Sequence, residues 1–120
     1  MTADTSRLQC SPEQLRIVRE VLDRVLPGRE VWAFGSRVGG RARPFSDLDL
    51  VVIGEVPMPL DLTAELREAF SESDLPWRID LVDWALLDPA FRARVERDHL
   101  VIQSFADTAH PPEPRAVLAR

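Results

Sequence analysis

Apolar positions along this chain recur with two periods, and the switches between them mark out alternating helices and strands. Leu15, Val18, Val21, Leu22 and Val25 follow helical spacing and predict an amphipathic helix of about four turns. Ser11-Pro12-Glu13-Gln14 supplies its start, with Ser as N-cap, Pro at the first helical position and Gln three residues past the cap. Pro27-Gly28 stops it. Glu30 to Phe34 is a short β-prone run ending at Gly35-Ser36, which predicts a buried strand opening into a tight turn, and Arg37 to Ser46 reads as a loop or short helix. Asp47 to Ile53 is the most strand-like segment, closed by Gly54 to Pro59. A second helix is predicted with Asp61 as N-cap and Leu62, Leu66, Ala69 and Phe70 on one face. Ile79 to Trp84 reads as a third strand, Asp88-Pro89 opens a third helix carrying Phe91 and Val95, and Leu100 to Phe105 reads as a short edge strand.

Helices alternating with strands predict an α/β (α+β) fold, a small mixed β-sheet flanked by helices. With 120 residues, 45% of them hydrophobic, the chain has material for one core. The domain is expected to span residues 1–105, with 106–120, rich in proline around His110, as a flexible tail. There is no apolar run of membrane-spanning length and no secretory pattern at the start, so a soluble, cytoplasmic protein is expected. Cys10 is the lone cysteine, which removes both a disulfide framework and a cysteine metal site.

Charge narrows the function further. The net charge of −5 is uneven: residues 1–60 balance eight Arg against eight acids, whereas residues 61–120 set seven Arg against twelve. A protein gripping nucleic acid through many phosphates carries a basic surface, so direct nucleic-acid binding is not expected. All fifteen basic residues are Arg, and with no Lys the chain lacks Schiff-base chemistry, lysyl-nucleotide intermediates and a P-loop lysine. Tyr is absent as well.

Candidate chemistry gathers around three acids. Residues two apart on a strand share a face, so Asp47 and Asp49 project together while Leu48 and Leu50 face the opposite side. Asp80, in the third strand, shares a face with Arg78 and Val82, and pairing of the two strands would let all three acids converge. At about 5 Å and an effective dielectric near 20, each like-charged pair costs about 3 kcal/mol, so such a cluster binds cations or stays partly protonated. Hard oxygen ligands favour Mg²⁺ or Mn²⁺. Taken alone, Asp-x-Asp is more often a solvated strand entry, and Gly-Ser an ordinary turn. Here Gly35-Ser36 follows a strand and lies ten residues before the acids, where glycine permits close approach and the turn offers N–H groups to phosphate oxygens.

Together, strand-Gly-Ser, Asp-Leu-Asp-Leu-Val-Val and the later strand with Asp80 resemble the nucleotidyltransferase superfamily that includes the polymerase β type enzymes. More narrowly, Phe34-Gly-Ser-Arg-Val-Gly-Gly-Arg-Ala-Arg-Pro-Phe-Ser-Asp-Leu-Asp-Leu resembles the minimal, or MNT, branch, and the resemblance covers residues 12 to about 104. It implies that Asp47, Asp49 and Asp80 hold two metals as the catalytic centre, with Gly35 and Ser36 engaging the triphosphate of ATP. Arg37, nearest the turn, is expected to reach phosphate, with Arg41 and Arg43 as further candidates. Asp83 is expected to cap or face away, and His99 and His110 to take surface or helix-end roles. Trp32, Trp77 and Trp84 read as core or groove packing, although one of them could stack on a base.

The resemblance also implies a partner, because MNT-type chains accompany small helical HEPN-domain ribonucleases and resemble antitoxins. The leading expectation is transfer of AMP from ATP to a hydroxyl, tyrosine in particular, on a HEPN-type toxin. The alternative is a non-catalytic antitoxin that neutralises its partner by binding. Antibiotic nucleotidyl transfer is disfavoured, since such enzymes usually carry an added substrate domain.

Overall fold

The computed structural model describes residues 7–104. The expected tail and His110 lie outside them. Four helical segments and four strands alternate with one 3₁₀ turn: α1 (Pro12–Val25), β1 (Val31–Phe34), α2 (Ser36–Gly39), β2 (Leu48–Val52), α3 (Leu60–Ser71), β3 (Ile79–Asp83), the 3₁₀ turn Trp84–Leu86, α4 (Pro89–Arg97) and β4 (Leu100–Gln103).

Local signals set most of these boundaries. Ser11 forms a full capping box at α1: its hydroxyl accepts from the Gln14 amide at 3.0 Å, and its own amide donates to Gln14 Oε1 at 2.8 Å. Asp88 caps α4 by accepting from the Phe91 amide at 2.7 Å. Two expectations need correction. Asp61 is not the N-cap of α3, which begins at Leu60 after Pro59; its carboxylate accepts from the Leu62 amide inside the first turn. Trp84 leaves the third strand, because β2 ends at Val52, opposite Asp83, and offers nothing further to pair with.

The sheet has the order β3-β2-β1-β4. β1 runs antiparallel to both β2 and β4, and β2 is parallel to β3, so the sheet is mixed. Its inner face presents Val31, Ala33, Leu48, Leu50, Val52, Leu81, Leu100 and Ile102 to Val18, Val21 and Leu22 of α1 and Leu66 and Phe70 of α3. Gln103 is the polar exception inside. Its buried amide donates to the carbonyls of Leu26 and Arg29 at 2.7 and 2.9 Å, tying β4 to the α1–β1 connection without leaving a polar group unsatisfied. α4 meets the outer face, where Phe91 packs edge-on against Phe34. Among the described residues no helix is long and apolar enough to cross a membrane.

Candidate active site

Strand parity and register together decide where the acids go. Asp49 lies between Leu48 and Leu50, both fully buried on the helix side, so its side chain emerges on the outer face. Register sets Asp80 of β3 directly across from Asp49, and Phe34 of β1 across from it on the other side. A row of Phe34, Asp49 and Asp80 therefore crosses three strands. Asp47 stands one residue before β2, with 42% of its side chain exposed. Arg78, two residues before Asp80, brings Nε to 3.9 Å from Asp47 Oδ1 while remaining 90% exposed.

The electrostatics follow from this crowding. The Asp49 carboxyl is pushed up to about 6, first by burial, then by the negative charges of Asp80 and Asp47 and a hydrogen bond with Asp80. Holding it ionised at neutral pH has a cost that a bound cation would remove. Among the described residues no three His, Cys, Asp or Glu side chains are drawn tightly enough together to form a ready metal cage. What the fold provides is the close Asp49 and Asp80 pair, with Asp47 adding its charge from beside Arg78. These are hard carboxylate oxygens, so the residues fit a divalent cation such as Mg²⁺ in kind.

Gly35 lies against this cluster. Its φ of 82° and ψ of −156° fall in a region open essentially to glycine alone, and a Cβ built there would collide with Asp49 Oδ2. The close approach brings the turn backbone alongside the carboxylate. Ser36 and Arg37 then occupy the first positions of α2, where amide N–H groups have no acceptor within the helix.

Arg37 is placed differently from the expectation that it reaches phosphate. Its side chain is buried, and the guanidinium donates to the carbonyls of Gln9 (2.6 Å), Ser46 (3.0 Å), Pro44 (3.0 Å) and Arg43 (3.4 Å). It also sits 4.4 Å from the centre of the Trp77 ring. Four of its five N–H groups are thereby committed to main chain, and its work is to fix the turn that leads into Asp47. Arg37→Gln should lower unfolding free energy by about 3 kcal/mol, because several buried carbonyls lose a charged donor. Arg37→Lys should recover only part of that, since an ammonium cannot fork. Urea denaturation of the three proteins checks the order; equal midpoints would remove this role.

The remaining candidates separate cleanly. Arg41 and Arg43 are exposed, without an ion-pair partner among the described residues. Asp83 faces away from the other acids: its Oδ2 accepts from the Met58 amide at 2.8 Å, and its Oδ1 is buried without a hydrogen-bond partner. His99 takes a helix-end role, with Nδ1 3.1 Å from the carbonyls of Val95 and Glu96. It stacks on Trp32 at 3.9 Å, and Trp32 meets Trp84 edge-on at 5.4 Å, so these rings form a half-buried aromatic group on the outer face. Trp77 is buried beneath Arg37. Burial pushes the Cys10 thiol up from its ordinary value, which leaves it a poor nucleophile. Sequence reasoning placed Arg78 on the face of Asp80 without giving it a role; its contact with Asp47 depends on β2 and β3 lying side by side.

Comparison with known proteins gives a consistent picture. The description of a nucleotidyltransferase domain matches residues 15–109. The probable protein adenylyltransferase MntA of Haemophilus influenzae is 46% identical over 107 residues, covering 89% of this chain and 94% of that protein. Among solved structures, a toxin–antitoxin complex with AMP-PNP contains a chain that superposes with a TM-score of 0.63 at 21% identity, covering 75% of this chain and 73% of that one. A complex of a tri-AMPylated Shewanella oneidensis HEPN toxin with MNT antitoxin gives a TM-score of 0.57 at 18% identity, covering 77% and 71%. At these identities the structural matches establish the shared fold.

Proposed function

This chain belongs to the nucleotidyltransferase domain family, and on that premise we propose that it is a protein adenylyltransferase. It transfers AMP from ATP to a tyrosine hydroxyl of a HEPN-type toxin and so acts as that toxin's antitoxin in the cytoplasm. The relative in Haemophilus influenzae carries the adenylyltransferase name, and the structural neighbours include an antitoxin in complex with an AMPylated HEPN toxin. The observation that carries the reading is the register of Asp49 against Asp80 with Gly35 packed against the Asp49 carboxylate.

In the reaction, the acceptor oxygen attacks the α-phosphorus, the bond from the α-phosphorus to the β-phosphate bridge breaks, and pyrophosphate leaves. Divalent metal, when bound, would stabilise charge on the attacking and leaving oxygens. Asp47, Asp49 and Asp80 would hold it. Asp80 is the exposed member of the three, and the acceptor's hydroxyl proton would pass to a carboxylate of this cluster. Gly35 lets the triphosphate approach the backbone, and Ser36 adds a hydroxyl beside the free amides.

With no Tyr in the chain, a tyrosine acceptor must come from another protein. An AMP group attached near an RNA-cutting site would place negative charge where RNA binds, which would inhibit the toxin. Coexpression with a HEPN-domain protein from the same organism, followed by intact-mass measurement, tests this. Mass increments of whole AMP units on the partner are expected, lost with Asp80→Asn. An unmodified partner that is still neutralised would overturn transfer as the mode of action.

A further inference from the structure

The turn that leads into Asp47 combines two properties that rarely coincide. Its backbone is tied at several points: Arg37 binds the carbonyls of Arg43, Pro44 and Ser46, Ser46 Oγ accepts from the Arg43 amide at 2.9 Å, and the Ser46 amide donates to the Arg43 carbonyl at 3.0 Å. The Ala42 amide adds a bond to Gln9 Oε1 at 3.1 Å. Yet this rigid turn carries Phe45 on its outside, with 77% of the residue exposed. Among the described residues no ring contact engages it. An aromatic side chain held in water on a fixed backbone has already lost much of the conformational freedom that binding would otherwise remove, and such residues are the usual anchors of protein interfaces.

Its position limits the occupant. Phe45 is two residues from Asp47, so whatever covers it comes close to Asp47, whose charge acts on Asp49. The flanking Arg41 and Arg43 are exposed and without ion-pair partners among the described residues, which gives the anchor a cationic border. We propose that the 41–45 turn is the docking element for the protein acceptor, with Phe45 inserted into an apolar pocket of that protein bordered by carboxylates. The inference rests on the reading of the chain as a protein adenylyltransferase and names the surface by which that activity would select its substrate. Arg37 is then a positioning residue for the docking turn as well as for Asp47.

The test separates docking from catalysis. Binding of a HEPN-domain protein from the same organism is titrated calorimetrically against wild type, Phe45→Ala and Phe45→Trp, and the melting shift given by ATP with Mg²⁺ is measured on each. Because Phe45 is exposed, Phe45→Ala should melt like wild type. Its affinity for the HEPN protein should fall by about 30-fold or more, with the ATP shift unchanged and Phe45→Trp restoring most of the affinity. Unchanged affinity in Phe45→Ala overturns the proposal, as does a wild type that does not bind. A reduced ATP shift in Phe45→Ala also overturns it, since the ring would then serve the nucleotide. A wild type that binds the HEPN protein tightly through Phe45 but never labels it supports the docking surface and refutes the transfer reaction.

Discussion

Asp49→Asn is expected to reduce AMP transfer by about 10²-fold or more, since it removes a charged oxygen from the centre of the cluster while keeping the side chain's shape. The same change should make the metal-free protein more stable at neutral pH. The Asp49 carboxyl titrates near 3.8 when free and is raised to about 6 in the fold. Well below 3.8 it is protonated in both states and carries no penalty. As pH rises through 6 the folded protein must hold a half-buried anion beside Asp80 and Asp47, so wild-type stability falls across that window. Two pKa units in a dry interior correspond to about 3 kcal/mol, and solvent around this half-exposed group reduces that to about 1 kcal/mol. Asparagine carries no charge, so the melting temperature of Asp49→Asn in chelator should exceed that of wild type by a few degrees at pH 7 and match it near pH 4. Mg²⁺ with ATP should then stabilise wild type much more than the variant. Parallel melting curves across this pH range, or equal shifts with Mg²⁺ and ATP, would detach Asp49 from the proposed site.

Gly35→Ala should be nearly as damaging, through two independent effects. An L-residue at φ 82° and ψ −156° is strained by about 1–3 kcal/mol. Its methyl group would also enter the space held by the Asp49 carboxylate, moving either the turn or the acid. Transfer should be lost even at a temperature where the variant remains folded, whereas Ser36→Ala, which loses one hydroxyl, should weaken ATP binding less. Circular dichroism establishes folding, and ATP titration with labelled transfer gives the order. A folded Gly35→Ala with wild-type ATP affinity would show that this glycine serves the backbone alone.

Much of the site was legible because its determinants are local. Alternation along a strand fixes Asp49 opposite to Leu48 and Leu50 wherever the strand packs, so burial of the leucines decides the direction of the acid. The capping box at Ser11 and the cap at Asp88 are likewise bonds between residues three apart, and the residues themselves announce them. The start of α3 is not legible for the corresponding reason. Leu60 is 88% exposed and belongs to no apolar face, so periodicity had nothing to register there, and the acid at 61 attracted the assignment.

Residue identity alone therefore determined most of the helices and strands, the face on which Asp49 emerges, the absence of any lysine or tyrosine chemistry, and the family motif. Only the tertiary structure decided that Asp80 stands opposite Asp49, since the register of β2 and β3 is set by packing across the long connection from Val52 to Ile79, which no local rule spans. The fate of Arg37 belongs to the same class. An arginine after Gly-Ser reads as a phosphate ligand because its charge is visible in the sequence, but its partners are carbonyls of residues 9, 43, 44 and 46. Every residue carries a carbonyl, so no side-chain pattern distinguishes those four; they become acceptors only when the folded chain turns them toward one buried guanidinium.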